Sequence, residues 1–273
     1  MPEANVHADA YDAFLSLHHG DQPLLIPNPW DRGSARILVG LGFRALATTS
    51  GGFAATVGVQ DGAVTRAQAL EHAHAIADAV DVPVSADLEN GFADDPEQVA
   101  ATVRDAASTG LAGCSIEDYS RDSDAIYDRV LAVERVAAAA AAAHHPGTRL
   151  VLTARAENYL RSRPDLDDTI ERLDRYAAAG ADVLYAPGLT DLDEIATLVQ
   201  SVGRPVNVLL LAGGPSVAEL AAVGVARISV GSHFANVAIA SLVEVGHDLL
   251  DGRAEFFDRS AAGRRAIAAY LPS

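Results

Sequence analysis

Carboxylate side chains are concentrated at the ends of the predicted strands. Asp87 and Glu89 lie two residues apart, so on a strand their side chains point to the same side. Glu117 ends the next predicted strand and can reach the same space. Three carboxylates held close together repel one another and resist ionisation, and a divalent cation relieves that repulsion. Because all of these ligands are oxygen atoms, the pattern predicts magnesium or manganese rather than zinc.

Arg155 ends the following predicted strand among apolar residues. Its planar guanidinium suits a substrate carboxylate or an oxyanion, and the alternative is a structural salt bridge with Glu157 or Glu117. Each carboxylate could likewise be a surface residue that caps the next helix. Acids on adjacent strand ends, with an arginine on the next strand, favour a functional site over that alternative.

A second candidate for anion binding follows the second predicted strand. The sequence Ser50-Gly51-Gly52 can bring backbone N–H groups close to an anion, because glycine lets the chain turn tightly. A tight turn between a strand and a helix has the same sequence, so the pattern alone does not decide between the two.

The elements that must position these residues are short apolar runs, which alternate with longer segments of helical periodicity. The predicted strands are Leu24–Asn28, Arg44–Ser50, Pro83–Glu89, Gly113–Asp118, Arg149–Glu157, Asp182–Pro187, Pro205–Leu211 and Arg227–Gly231. The predicted helices include Thr65–Val80, Pro96–Thr109, Asp124–Ala143, Leu166–Ala179 and Asp191–Val202.

Strands and helices that alternate in one unbroken series favour an α/β fold, a closed (β/α)8 barrel. In such barrels the active site lies at the C-terminal ends of the strands, which is where the acids and Arg155 fall. An open doubly wound sheet is the alternative. Its G-x-G-x-x-G fingerprint is absent after the first strand, where the sequence reads IPNPWDRGSA.

Size and charge restrict the classes of protein. The chain has 273 residues, 49% of them hydrophobic, and no linker, which predicts a single domain over residues 1–273. A formal charge of −17 argues against nucleic acid and anionic membranes as partners. The single Cys114 fits a reducing compartment, and neither a signal peptide nor a membrane span is recognisable. We therefore expect a cytoplasmic location.

Four stretches of the chain resemble the isocitrate lyase/phosphoenolpyruvate mutase superfamily. They are NPWDRGSARILVGLGFRALATTSGG, VPVSADLENGF, GCSIED and LVLTARAENYL, and the resemblance covers roughly residues 24–231. It implies a (β/α)8 barrel, with the C-terminal helix swapped between subunits, in a homodimer or homotetramer. The C-terminal segment 232–273 is accordingly expected at a subunit interface.

The resemblance also implies a metal site. It implies Mg²⁺ or Mn²⁺ bound largely through water by acids. By position, Asp87 corresponds to the direct metal ligand, and Glu89 and Glu117 correspond to further or water-mediated ligands. Asp61, in the stretch VGVQDG, is similar to a fourth acid of the family.

The resemblance further implies the residues that bind the substrate. The Ser50-Gly51-Gly52 turn and Arg155 correspond to a clamp for the carboxylate of a 2-oxo acid or enolate. Asn207 corresponds to a polar residue near the substrate. Cleavage beside a 2-oxo acid leaves an enolate, whose negative charge a metal ion and an arginine would stabilise as it develops.

The segment after Glu117 departs from the family. The lyases carry a mobile loop with a K-[KR]-C-G motif whose cysteine is a general acid, whereas DYSRDSDAIYDRV has no cysteine, lysine or glycine. The Lys-Thr-Asn-Ser type of loop of the mutase is also missing. Tyr119, Arg121 and Tyr127 are candidates for proton transfer or substrate contact, although the pattern predicts a solvated entry to a helix here. Cys114 is predicted to be a small buried residue.

The sequence thus predicts a magnesium-dependent enzyme that cleaves a C–C bond of a small 2-hydroxy or 2-oxo carboxylate through an enolate. Arg155, Glu117 and Asp61 are its predicted catalytic residues. A hydrolase or phosphonomutase acting on an oxaloacetate- or phosphonopyruvate-like substrate is one alternative. A barrel that only binds a metabolite is the other.

Overall fold

The computed structural model describes residues 6–271, with side chains from residue 10 onward, so the ends of the predicted 1–273 domain lie outside it. Within these residues there are ten strands, and helices separate them except over residues 113–126, where three strands follow one another. Their bounds are β1 (Leu24–Ile26), β2 (Leu46–Ala47), β3 (Val84–Asp87), β4 (Gly113–Glu117), β5 (Tyr119–Ser120), β6 (Ala125–Ile126), β7 (Val151–Arg155), β8 (Val183–Tyr185), β9 (Val206–Leu209) and β10 (Arg227–Ser229).

Most helices begin at a residue whose side chain caps them, whereas the helices that begin at His233 and Phe257 have no side-chain cap. Thr65 and Ser216 form capping boxes. In each, the cap side chain accepts from the backbone N–H three residues later, and the side chain of that later residue accepts from the backbone N–H of the cap. The helices are α1 (Val6–Ser16), α2 (Arg32–Gly40), α3 (Ser50–Thr56), α4 (Arg66–Ala77), α5 (Pro96–Ala107), α6 (Arg129–Ala143), α7 (Leu166–Ala178), α8 (Leu192–Ser201), α9 (Val217–Ala222), α10 (His233–Leu250) and α11 (Phe257–Tyr270).

The main sheet is parallel and nearly closed. Its eight strands lie in the order β1-β10-β9-β8-β7-β4-β3-β2. Between the two end strands, the backbone N–H of Ala47 donates to Pro27 O at 3.1 Å. The side chain of Asn28 joins the same region, because its Nδ2 donates to Thr48 O and its Oδ1 accepts from the N–H groups of Val230 and Gly231. The predicted (β/α)8 barrel is confirmed.

The N-terminal end of the barrel is filled by the segment that precedes β1. Phe14 on α1 is fully buried, in a cluster with β1, β7 and β8 residues. A Cβ added at Gly113 would lie 2.8 Å from the Phe14 ring and 2.7 Å from Val151 O. Glycine at position 113 therefore lets the ring enter the barrel, and the opposite end remains available for a site.

The segment after β4 differs from the prediction of a solvated helix entry. β5 and β6 form an antiparallel hairpin, and α6 begins at Arg129. Tyr119 and Tyr127 are buried, and their hydroxyls donate to Asp124 and Asp94. The predicted solvated entry is therefore wrong for these two tyrosines, whereas Arg121 is half-buried and residues 122–124 are exposed.

The C-terminal helices leave apolar surface exposed. On α10, the buried side chain is that of Ala235. The exposed apolar side chains of this helix are Phe234, Val237, Ile239, Leu242, Val243, Leu249 and Leu250. The end of α11 packs on α2, where Tyr270 lies against Gly40. Among residues 6–271, none of the helices combines the length and apolar character that a membrane crossing needs.

Candidate active site at the strand ends

Arg155 lies at the centre of the C-terminal strand ends. Its Nη1 is 3.0 Å from Asp87 Oδ1 and its Nη2 is 3.0 Å from Glu117 Oε2. Its Nε and Nη2 also donate to Glu157 Oε1, at 3.0 and 2.8 Å. β3, β4 and β7 are neighbours in the sheet, which is why their ends converge on one guanidinium.

Glu117 is a deeply buried acid beside Arg155. Its side chain is 2% exposed, and its Oε1 has no hydrogen-bond partner, since Arg161 Nη2 is 3.6 Å away. Burial and the neighbouring charge of Glu157 raise the pKa of Glu117 well above its usual value. This oxygen is therefore a free acceptor that a cation or a proton would satisfy.

Glu89 turns away from Arg155 because its backbone has φ +48°. Its Oε2 accepts from Arg121 Nε at 2.9 Å, and Arg121 Nη2 is 3.2 Å from Asp61 Oδ2. Burial, followed by the charge of Asp87, raises the pKa of Glu89 to about 7. The guanidinium of Arg121 thus lies between two of the predicted metal-site acids.

The Ser50-Gly51-Gly52 turn starts α3, and Thr49 caps it by accepting from Gly52 N. Ser50 N points toward Asp87 Oδ2 at 3.4 Å. A Cβ at Gly51 would lie 2.8 Å from Ser232 Oγ, so a side chain larger than hydrogen would clash there. The glycines therefore allow close packing, while Ser50 presents its backbone to the strand ends.

One cavity of about 180 Å³ collects most of the predicted residues. Ser50, Asp61, Asp87, Arg155 and Asn207 line it. Glu117 does not line this cavity but contacts Arg155, which does, and Glu89 lines another pocket with Arg121. Gly51 and Gly52 line neither of these pockets.

Several lining residues were missed at the level of sequence. The cavity also includes Asn28, Tyr185 and Arg227. Arg161 flanks the site, where its guanidinium stacks 3.6 Å from the Tyr119 ring centroid. Alternation along the strands could have indicated Tyr185 and Arg227. Each pairs with the polar residue Asn207 on the neighbouring strand, and Arg227 also lies two residues before Ser229. Only the long side chain of Arg161 lacked a local signal.

The acids and arginines together form what we call the strand-end cluster. Its members are Asp61, Asp87, Glu89, Glu117, Glu157, Arg121, Arg155 and Arg161. With every group ionised, five carboxylates face three guanidiniums, which leaves a surplus of two negative charges. A cluster with this surplus and an unsatisfied Glu117 oxygen suits a divalent cation.

The geometry does not form a cage of direct protein ligands. Within residues 6–271, no group of three or more His, Cys, Asp or Glu side chains is arranged to hold a metal ion. Arg155 lies between Asp87 and Glu117, and Arg121 holds Glu89. The donor set therefore fits a metal held by Asp87 with water completing its coordination, and the metal roles of Asp87, Glu89 and Glu117 stay predictions.

An eight-stranded parallel barrel with acids and an arginine gathered at its C-terminal end is the architecture of a (β/α)8-barrel enzyme. The comparisons define the family further. The phosphoenolpyruvate phosphomutase family matches residues 14–250. The chain belongs to this family, within the phosphoenolpyruvate mutase/isocitrate lyase superfamily, as its sequence resemblance implies.

Solved structures agree over nearly the whole chain. A candidate lyase/mutase from Burkholderia cenocepacia J2315 is 46% identical, with a TM-score of 0.93, and 98% of each chain is covered. Oxaloacetate acetylhydrolase in complex with the product oxalate is 26% identical, with a TM-score of 0.81, covering 89% of this chain and 87% of that one.

Relatives with named activities carry out different reactions. The 2-methylisocitrate lyase of Escherichia coli (strain K12) is 29% identical, covering 71% of this chain and 67% of the relative. The oxaloacetate decarboxylase of Pseudomonas savastanoi pv. phaseolicola is 28% identical, covering 86% and 82%. An uncharacterized protein of Mycobacterium tuberculosis (strain H37Rv) is 36% identical, covering 81% and 82%. The chain is thus a member of an enzyme family whose reactions vary.

Proposed function

We propose that the protein cleaves a C–C bond of a small 2-hydroxy or 2-oxo carboxylate through an enolate, with Mg²⁺ or Mn²⁺ as cofactor. The observation that carries this proposal is the convergence of Asp87 and Glu117 on Arg155, at a cavity that Arg155, Asp87 and Ser50 line. Relatives that act on 2-methylisocitrate and oxaloacetate support the same substrate class.

Each residue has a role that follows from its contacts. Asp87, with help from the free oxygen of Glu117, would hold the metal ion, which supplies positive charge to a chelated 2-oxo acid. Arg155 donates to an oxyanion from a guanidinium that three acids already orient, so little reorganisation is needed when charge develops. The N–H of Ser50, whose present acceptor Asp87 Oδ2 is 3.4 Å away, would turn to the substrate carboxylate, and Asn207 would orient the far side of the ligand.

Asp61 and Glu89 are held by Arg121 at the rim. They would contribute to a cation through water, since neither reaches Arg155. The hairpin that carries Arg121 follows β4, and its aromatic residues are buried. It would shield the enolate from bulk water while it exists.

Metal dependence is the first test of the proposal. We expect calorimetry to show Mg²⁺ binding to the wild type and a loss of at least tenfold in affinity for Asp87→Asn. Asp78→Asn is a matched control, because Asp78 is an exposed acid that pairs with Arg32 and does not line the cavity. Equal Mg²⁺ affinity for the wild type and Asp87→Asn would contradict the proposed metal site.

Oxalate, which resembles the enolate of a 2-oxo acid, tests the anion site. We expect it to bind with Mg²⁺ present and to lose most of its affinity in Arg155→Met. Binding that needs neither the metal nor Arg155 would refute the enolate proposal.

The reaction type is tested by product analysis with a panel of 2-hydroxy and 2-oxo acids. A 2-oxo acid together with a carbon fragment other than CO₂ would support the lyase. The hairpin segment lacks the cysteine of the lyase loop, which favours decarboxylation or hydrolysis of an oxaloacetate-like substrate as a second candidate. CO₂ or oxalate as product would select that candidate. Turnover of none of the panel, despite tight binding, would select a metabolite-binding barrel.

We also propose that the protein is a homodimer or homotetramer held by the C-terminal helices. The support is the exposed apolar surface of α10, where Val237 and Leu242 are each 69% exposed. We expect Leu242→Glu to shift the mass measured by light scattering toward the monomer. Val130→Glu is the control, because Val130 is similarly exposed on α6. A monomeric wild type would contradict this proposal.

We further propose a cytoplasmic location, which the single, buried Cys114 supports.

A further inference from the structure

Arg227 lies at the inner end of the cavity, on the side away from the strand-end cluster. It begins β10 and is 5% exposed. Its guanidinium donates to Asn207 Oδ1 at 2.9 Å, to Thr153 Oγ1 at 3.0 Å and to His18 Nε2 at 3.3 Å. The side chain is therefore fixed in place on three sides.

All three of these acceptors are neutral. Nδ1 of His18 lies 2.9 Å from Phe14 O and donates to it, so Nε2 is left as the acceptor for Arg227. Burial, together with the charge of Arg227, lowers the pKa of His18 to about 3, which keeps the ring neutral at physiological pH. None of the ion pairs within residues 6–271 includes Arg227, whereas Arg155 contacts three acids.

A buried positive charge without a counter-ion is costly. Burial lowers the pKa of Arg227 only to about 10, so the group stays charged at neutral pH. Three of its five N–H groups have partners, and two remain to donate. An anionic ligand group would supply both the charge and the acceptors that the protein does not.

The cavity joins Arg227 to the proposed reaction centre. Ser85, Ser115 and Ser229 line it between the two ends, and none of them carries a charge. The outer end holds the surplus of carboxylates, while the inner end holds Arg227. An elongated ligand with one carboxylate at Arg155 would therefore meet a second cationic group, Arg227, at the inner end of the cavity.

We propose that Arg227 binds the second carboxylate of a dicarboxylate substrate and so selects dicarboxylates over monocarboxylates. This inference rests on the proposed function, because it takes the first carboxylate to lie at Arg155. A bidentate pair between a guanidinium and a carboxylate, out of contact with water, discriminates strongly against a ligand that leaves the arginine unpaired.

The test uses ligand pairs that differ only in a terminal carboxylate or methyl group. These are oxaloacetate against 2-oxobutanoate, and 2-oxoglutarate against 2-oxopentanoate. With Mg²⁺ present, we expect at least one dicarboxylate to bind the wild type about 30-fold or more tightly than its methyl partner, by calorimetry or by kcat/KM. Equal affinity within both pairs would overturn the inference, and this measurement needs no variant.

Arg227→Met then assigns the preference to the residue. We expect it to abolish the discrimination by weakening the dicarboxylate while leaving the methyl partner within about threefold, with Arg227→Lys intermediate. Arg135→Met is the matched control, since Arg135 is a buried arginine that donates to backbone carbonyls outside the cavity. A preference that survives in Arg227→Met would overturn the inference.

Two further measurements distinguish a failure of the proposed function from a failure of the role of Arg227. Arg155→Met should weaken both members of a pair equally, and if it weakens neither, the proposed function fails rather than the role of Arg227. Chloride and bicarbonate are tested for thermal stabilisation. If either stabilises the wild type as much as a dicarboxylate does, and Arg227→Met removes that effect, the site holds a free anion and the inference is overturned.

Discussion

Replacing Arg155 with methionine tests the electrostatics of the strand-end cluster in the absence of substrate. The substitution keeps much of the side-chain volume but removes the charge that Asp87, Glu117 and Glu157 share. The side chains of Glu117 and Glu157 are 2% and 0% exposed, so water cannot replace the lost partner. Removing one partner of a buried ion pair costs about 3–5 kcal/mol.

The cost is reduced by Arg161, which still contacts Glu117 and Glu157, and by protonation of Glu117. We therefore expect a loss near the lower limit, about 3 kcal/mol. For a chain of this length that corresponds to a fall in Tm of about 6 °C. Arg175→Met is the matched control, because Arg175 makes an exposed pair with Glu171 one helical turn away, which contributes about 0.5 kcal/mol or less.

Differential scanning calorimetry and urea unfolding measure both variants. Mg²⁺ should raise the Tm of Arg155→Met by more than it raises that of the wild type, because the cation replaces part of the missing positive charge. Equal losses for Arg155→Met and Arg175→Met would refute the account of the cluster as a buried charge network. A smaller effect of Mg²⁺ on the variant would refute the surplus of negative charge.

Two other substitutions probe the supports of the site. Gly188→Ala should lower the free energy of unfolding by about 2–4 kcal/mol in chemical denaturation, because φ is +89° and the added Cβ would lie 2.7 Å from Leu160 N. Gly203→Ala, where a Cβ meets no atom within 4 Å, should be nearly neutral, and equal losses for the two would contradict this reasoning. Tyr176→Phe removes a buried 2.6 Å hydrogen bond to Asp118 Oδ2 and should cost about 1–3 kcal/mol. An unchanged midpoint in urea would show that Arg172 alone satisfies that carboxylate.

The order of strands and helices was predictable because periodicity is a local property. All eight predicted barrel strands occur, but each is shorter than predicted. Residues at the C-terminal ends of the predicted strands, such as Glu89 and Glu157, lie instead in loops whose geometry depends on neighbouring strands. The position rule for barrels placed Arg155, Asp87 and Glu117 together from sequence alone.

The pairing of charges could not be predicted in the same way. Sequence indicates that Arg155 is near acids, but not that it lies between Asp87 and Glu117, since that depends on the register of three strands. The hairpin after β4 was missed because its stability comes from contacts with distant residues, such as Tyr127 with Asp94. Strand alternation could have indicated that Arg227 faces inward, but not that its partners are Asn207, Thr153 and His18.

The bonds of Asn28 have a consequence for how the protein is made. This side chain, just after the first strand, binds the backbone just after the last barrel strand. During synthesis, β1 must wait for about 200 residues before its neighbour β10 leaves the ribosome. Until then the early strand has an unpaired edge, and any chain released before residue 227 keeps it. The barrel can therefore close only in a chain that has been translated through Gly231, because β1 pairs with β10 and Asn28 binds the N–H groups of Val230 and Gly231.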